Sequence, residues 1–188
     1  MLWILLVLII SVVVGVLRGG KLRNMTEIEF RAWWLLLIGF GVQLAAGFLP
    51  RDQNDLAVAL VLVSYLPLLL AVWLNRNCAG MWIAGIGVLM NFTVIAANGG
   101  MPVSAEAAVL AGQAGELVLD AKHVLLDETT RLPFLADIIP LPRTVMSLGD
   151  VFLAIGVGVF LEEETRRPVA LFRHGVQGVP GSAAQHDS

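Results

Sequence analysis

The sequence predicts an all-α membrane protein. It has five transmembrane helices, its N-terminus outside, and a long, partly helical outer segment between helices four and five. Three observations predict it. Of the 188 residues, 57% are hydrophobic and 14% charged, whereas soluble domains carry about 25% charged residues. Such a chain has too little polar surface to cover itself. Five apolar runs approach the roughly 20 residues that a helix needs to cross about 30 Å of hydrocarbon. The basic residues also gather on one side of those runs.

The first run is Met1–Leu17. No basic residue precedes it, while Arg18, Lys21 and Arg23 follow it with no small-residue cleavage site. That is the pattern of an uncleaved helix with its N-terminus outside. The inner loop Arg18–Arg31, "RGGKLRNMTEIEFR", reads as a topology determinant or a brief amphipathic helix. Ala32–Leu49 is the second run and Leu56–Leu74 the third, joined by the polar turn Pro50–Asp55. Pro67 is expected to kink the third. The turn Asn75–Gly80 holds Cys78, the one cysteine, and leads to the fourth run, Met81–Ala97. The fifth, Thr144–Leu161, is the weakest, because it is short and contains Asp150. None of the runs alternates as barrel strands do, and lipid-exposed spans must be helices or closed barrels. Residues 1–161 thus form the membrane domain, with 98–143 as its outer segment. Residues 162–188 are a cytoplasmic tail rich in Gly, Pro and Ser, expected to be disordered beyond Arg173.

Charge bias supports this orientation. The inner side holds eight basic residues (Arg18, Lys21, Arg23, Arg31, Arg76, Arg166, Arg167, Arg173) against four outside (Arg51, Lys122, Arg131, Arg143). Trp33, Trp34, Trp73 and Trp82 fall at inner helix ends, where an aromatic belt sits.

Small and polar residues recur at helical spacing, as membrane helix packing requires. The stripes are Gly39, Gln43 and Gly47; Ala57, Ser64 and Ala71; Ala84, Gly87, Asn91 and Asn98; and Asp150, Ala154 and Gly158. Helix one offers only Ser11 and Gly15. Gln43, Ser64 and Asn91 are either glue between helices or the lining of a site. In the N-out topology Gln43, Asn91, Asn98 and Asp150 gather toward the outer leaflet, which suits a pocket open to the outer face. Asp150 has two readings. An ionisable residue inside a span is a functional hypothesis by default. With Ser147 as N-cap, however, Asp150 stands at the third helical position of a capping box.

The outer segment is too apolar for a floppy loop. "SAEAAVLAGQAGELVLDAKHVLL" fits one or two short helices starting at Ser104, and "FLADIIPLP" is expected to lie at the interface or over the bundle mouth. Lys122, His123 and Asp137 form a cluster suited to an anionic head group. Gly99 and Gly100 take backbone angles that other residues do not, and Pro102 forces extension on Met101. "NGGMPV" is therefore the expected hinge, Gly99, Gly100 and Pro102, that folds the outer segment back over the bundle. No paired-His spacing, phosphate loop or nucleophile elbow is present, so no metal, cofactor or catalytic residue is expected. A net charge of −3 gives no reason to expect nucleic acid.

Three strings stand in order: "LRGGKLRN", "NGGMPVS" and "KHVLLDETTRLPFLADIIPLPR…SLGD". With them the chain resembles the small bacterial membrane proteins designated domain of unknown function fifty-three seventeen, over roughly Met1–Leu161. In the family pattern an Arg stands between the Gly pair and the Met; here Gly100 runs directly into Met101. The resemblance implies a five-helix protein of the bacterial plasma membrane and implies no activity. Three readings of function remain. The first is a non-enzymatic protein binding or moving a small amphiphile or lipid at an outer-leaflet pocket, lined by Gln43, Asn91, Asn98, Lys122, His123, Asp137 and Asp150. The second is an accessory subunit docking a membrane protein partner. The third is a lipid-modifying enzyme using His123 with Asp137 or Asp150.

Overall fold

The computed structural model describes residues 2–20, 30–113 and 122–166. The readings of the inner loop after Gly20 and of the tail beyond Arg166 lie outside them. Among the described residues the order is α1 (Leu2–Leu17), α2 (Trp34–Gly47), α3 (Asn54–Leu74), α4 (Met81–Asn98), β1 (Met101–Val103), α5 (Ala105–Leu110), β2 (His123–Leu125), β3 (Ile139–Leu141), β4 (Thr144–Met146) and α6 (Leu148–Arg166).

The five long helices pack as a chain of neighbours: α2 on α3, α3 on α4, α4 on α6, α6 on α1. Their directions alternate along the sequence, so the neighbours α6 and α1 run parallel. Asn75, capping α3, bonds Arg31 just ahead of α2. Gly15 of α1 lies against Thr165 of α6, and Gly80, ahead of α4, lies against Gly156 and Phe160. One end of the bundle therefore holds the C-termini of α1, α3 and α6. The other holds the C-terminus of α4, the N-terminus of α6 and the segment between them.

The tightest seam is α4 on α6. A Cβ at Gly87 would lie 2.6 Å from the Leu153 nitrogen, and one at Gly156 would lie 2.7 Å from the Ala84 Cα. Glycine lets the two backbones touch. The seam on α6 runs through Gly149, Gly156 and Phe160, which are buried, while Ala154 and Gly158 are half-buried. Ala154 and Gly158 of the expected stripe are thus turned away from the closest contact, whereas Asp150 reaches across it to Asn91. Direct backbone contact requires the glycines that face Gly87 and Ala84. On α3 the stripe of Ala57, Ser64 and Ala71 is buried as expected. The Ser64 hydroxyl donates to Val61 O of its own helix at 2.5 Å, so Ser64 meets α2 through its backbone, against Gly39.

A core of Val61, Tyr65, Leu68, Val88, Val94 and Ile95 continues into the outer segment through Met101 and Leu135. The outward faces are apolar as well. Ile9, Val13, Leu37, Phe40, Val63, Leu66, Ile86, Leu89, Ile155 and Val159 are all exposed or nearly so. Two of the described helices, α3 and α4, are long and apolar enough to cross a membrane, and α2 is a shorter apolar helix.

The outer segment corrects the all-α expectation. β1 runs parallel to β2, pairing Met101 with His123 and Val103 with Leu125. Asp137 adds a parallel bridge to Val103, and β3 and β4 form an antiparallel hairpin. "HVL" is strand rather than helix, because Pro102 holds β1 extended and β2 pairs with it. Thr144–Met146 is strand rather than the start of the last helix, which begins only after the cap at Ser147. The expected helix at Ser104 does form as α5, with the Ser104 Oγ accepting from Ala107 N at 3.2 Å.

Candidate functional site

The turn after α4 sets the geometry of the polar end. Gly99 has φ +67° and Gly100 φ +156°, and Gly100 N–H donates back to Ile95 O at 3.2 Å, in the manner of a Schellman C-cap. Met101 N–H then donates to Lys122 O at 2.8 Å, and Pro102 O accepts from Asp137 N–H at 2.8 Å. A side chain at Gly100 would meet Val124 Cγ1 at 2.9 Å. The two glycines and Pro102 thus turn the chain into the small sheet.

Asn98 fastens that sheet to α4. Its Nδ2 donates to Val94 O (2.8 Å) and Arg131 O (2.9 Å), and its Oδ1 accepts from Arg131 N–H (2.7 Å). Asn75 makes the same clamp at the opposite end of the bundle, with Ala71 O at 2.7 Å, Arg31 O at 2.9 Å and Arg31 N–H at 2.8 Å. In both, the clamped arginine precedes a residue of positive φ, Ala32 (54°) or Leu132 (55°). Asn75 is a clamp that the sequence reading left inside a polar turn. The signal was a helix-terminal Asn, whose side chain imitates a backbone peptide.

Asn91, Ser147 and Asp150 form a closed knot between α4 and α6. Asp150 N–H donates to Ser147 Oγ at 2.9 Å and Ser147 N–H to Asp150 Oδ2 at 3.3 Å, the reciprocal pair of a capping box. Asn91 Nδ2 donates to Asp150 Oδ1 at 2.8 Å and Asn91 Oδ1 accepts from Ser147 Oγ at 2.9 Å. Asp150 is therefore a cap, and it is also an interhelix partner.

Asp137 is 8% exposed. Burial pushes its carboxyl up to about 8, the charge of Asp150 adds to the rise, and Lys122 works against it. His123 Nε2 stands 4.0 Å from Asp137 Oδ2, beyond hydrogen-bond reach. Asp150, Asp137 and the buried Tyr65 of α3 lie close enough to interact electrostatically. Asn91, Asp150, Asp137, Lys122 and His123 thus share one neighbourhood. Gln43 stands apart, half-buried on α2, which packs on α3.

A pocket of about 390 Å³ opens at the end of α4. It is lined by Ala97, Asn98, Val124, Leu125, Asp127, Thr129, Thr130 and Arg131. Of the expected lining residues only Asn98 is among them. One wall is an Asx turn: Asp127 Oδ1 accepts from Thr129 N–H (2.8 Å), Thr129 Oγ1 (2.7 Å) and Thr130 Oγ1 (3.3 Å). These bonds hold the Asp127 carboxyl below its usual range. The signal was legible as "DETT", an Asp followed two residues on by a Thr N–H.

The sequence pattern of the family of unknown function DUF5317 matches residues 27–162. A protein of Thermotoga maritima described only as uncharacterized is 32% identical over 160 residues, covering 82% of this chain and 87% of its own length. No solved structure matches. On the extent of these matches, the chain belongs to the DUF5317 family.

Proposed function

We propose that this is a multi-pass protein of the bacterial cell membrane that binds or moves a small amphiphile. Its five long helices cross the bilayer with the N-terminus outside and the C-terminus cytoplasmic. The polar head of the amphiphile occupies the pocket at the outer end of α4. The observation that carries this reading is a pocket at one end of a bundle whose outward faces are apolar. Asn91, Ser147, Asp150 and Asp137 are buried or half-buried at that end, as Asn75, Glu164 and Thr165 are at the other. Water does not solvate such an exterior; hydrocarbon does. The exposed Trp33, Trp34, Trp73 and Trp82 mark the opposite end as an interfacial belt. At about 1.5 Å per residue, the 14 residues of α2 fall short of the hydrocarbon thickness, so the bilayer thins around them or the flanking turns complete the span.

Native mass spectrometry of the protein purified in mild detergent tests this reading, with wild type beside Ala97→Trp. Ala97 lines the pocket and is half-buried, so an indole there fills it. The expected result is an amphiphile mass retained by wild type and lost from the variant. Wild type with no bound mass would overturn the reading.

One observation favours a second reading, an accessory subunit. Val109, Leu110, Leu125 and Phe134 of the outer segment are 64%, 70%, 52% and 59% exposed. A second polypeptide that co-purifies with wild type, and is lost when Leu110 and Phe134 become Ser, would favour it.

A further inference from the structure

The pocket at the end of α4 is lined by two residues of opposite charge, one held at its carboxylate and the other at its backbone. Asp127 is exposed yet pinned, because three bonds from Thr129 and Thr130 converge on its Oδ1. The same bonds hold the carboxyl below its usual range. Arg131 is pinned by its backbone, both N–H and C=O, to the side chain of Asn98. Among the described residues no hydrogen bond or ion pair engages its guanidinium. Asn98, by contrast, spends its amide on Val94 and Arg131, so it builds the wall. Ala97, Val124 and Leu125 make the remaining lining apolar.

A ligand of one charge gains little in such a pocket. An anion drawn to Arg131 meets the carboxylate of Asp127, and a cation drawn to Asp127 meets the guanidinium. A ligand that carries both charges satisfies both, and a volume of about 390 Å³ accommodates a small head group. We propose that this pocket is selective for a zwitterion, a phosphate or carboxylate set against Arg131 and an ammonium set against Asp127. This inference rests on the amphiphile reading above and names its ligand class. The same chemistry is offered by an ethanolamine phospholipid and by a free zwitterion such as glycerophosphoethanolamine.

The test uses the full chain in nanodiscs made of equal parts phosphatidylethanolamine and phosphatidylglycerol. Lipids that stay bound after transfer to the gas phase are counted by native mass spectrometry. Two variants preserve the fold. Asp127→Asn keeps the Oδ1 acceptor of the turn, and Arg131→Gln keeps the backbone clamp. The expected result is several-fold enrichment of the ethanolamine lipid on wild type. Each variant should reduce that enrichment by about fivefold, the scale of an exposed charge pair. Free glycerophosphoethanolamine that displaces the lipid would make the free zwitterion the source, while failure to compete would assign the site to the lipid. Equal retention of both lipids, or enrichment unchanged in both variants, would overturn zwitterion selectivity. If that retained lipid were lost with Ala97→Trp, the amphiphile reading would still stand. Absence of any retained lipid would sink both.

Discussion

Asn98 and Asp137 carry the most consequence for single residues. Asn98→Ala removes three bonds at once and leaves Arg131 N–H and C=O without their partner. We expect a loss of about 1–3 kcal/mol, confined to the outer segment. It would be read as faster protease cleavage between Asn98 and Ser147, with the helices intact by circular dichroism. Asp137 sets a pH dependence. Its carboxyl titrates at about 8 in the fold, against 3.8 ordinarily, so the fold holds the proton more tightly than the unfolded chain does. The stability with Asp137 protonated is fully present below pH 4. It falls as pH rises toward 8, by at most about 1.4 kcal/mol per pH unit. Asp137→Asn should flatten that slope in thermal unfolding of the detergent-solubilised protein. A slope unchanged in the variant would assign the effect to another group.

Among the elements, the α4–α6 seam is the tightest contact. Gly87→Ala places a methyl against the backbone of Gly149 and Leu153, and overpacking of this kind costs about 1–3 kcal/mol. Gly41→Ala on α2 meets nothing within 4 Å and should be neutral or slightly stabilising. The pair of melting temperatures separates close backbone contact from glycine loss in general. Much of this was legible in the sequence. Apolar runs of near-spanning length located four of the long helices to within two residues and placed α6 four residues early at its start and five at its end, and Ala84, Gly87 and Asn91 were readable as a packing face. On α6 Asp150 was read correctly onto the α4 side, but Ala154 and Gly158 were taken where Gly149 and Gly156 make the contact, because glycine spacing alone does not say which glycine meets a backbone. The strands of the outer segment were not legible. Three-residue strands carry too few residues to show a period, and β2 owes its conformation to β1, twenty residues away.

For the molecule as a whole, the polar cluster beside the pocket was readable from where Asn91, Asn98 and Asp150 fall along their helices, whereas the buried Asn75, Glu164 and Thr165 at the opposite end were not. The pocket was not. Its lining joins Ala97 to residues near 130 through the Asn98 clamp, a long-range contact with no local signature, and Gln43 was drawn in only because depth was the sole criterion. The account requires that the pocket face the exterior of the cell while the α3–α4 turn faces the cytoplasm. Labelling with a membrane-impermeant maleimide tests this directly, and the native Cys78 serves as a reporter on the α3–α4 turn. The second reporter is Glu128→Cys in a Cys78→Ser background, beside the pocket at an exposed position. The account predicts that the cysteine at position 128 is labelled in intact cells, and that Cys78 of the wild type is labelled only after permeabilisation. Labelling of Cys78 in intact cells, with position 128 protected until the membrane is opened, would contradict it.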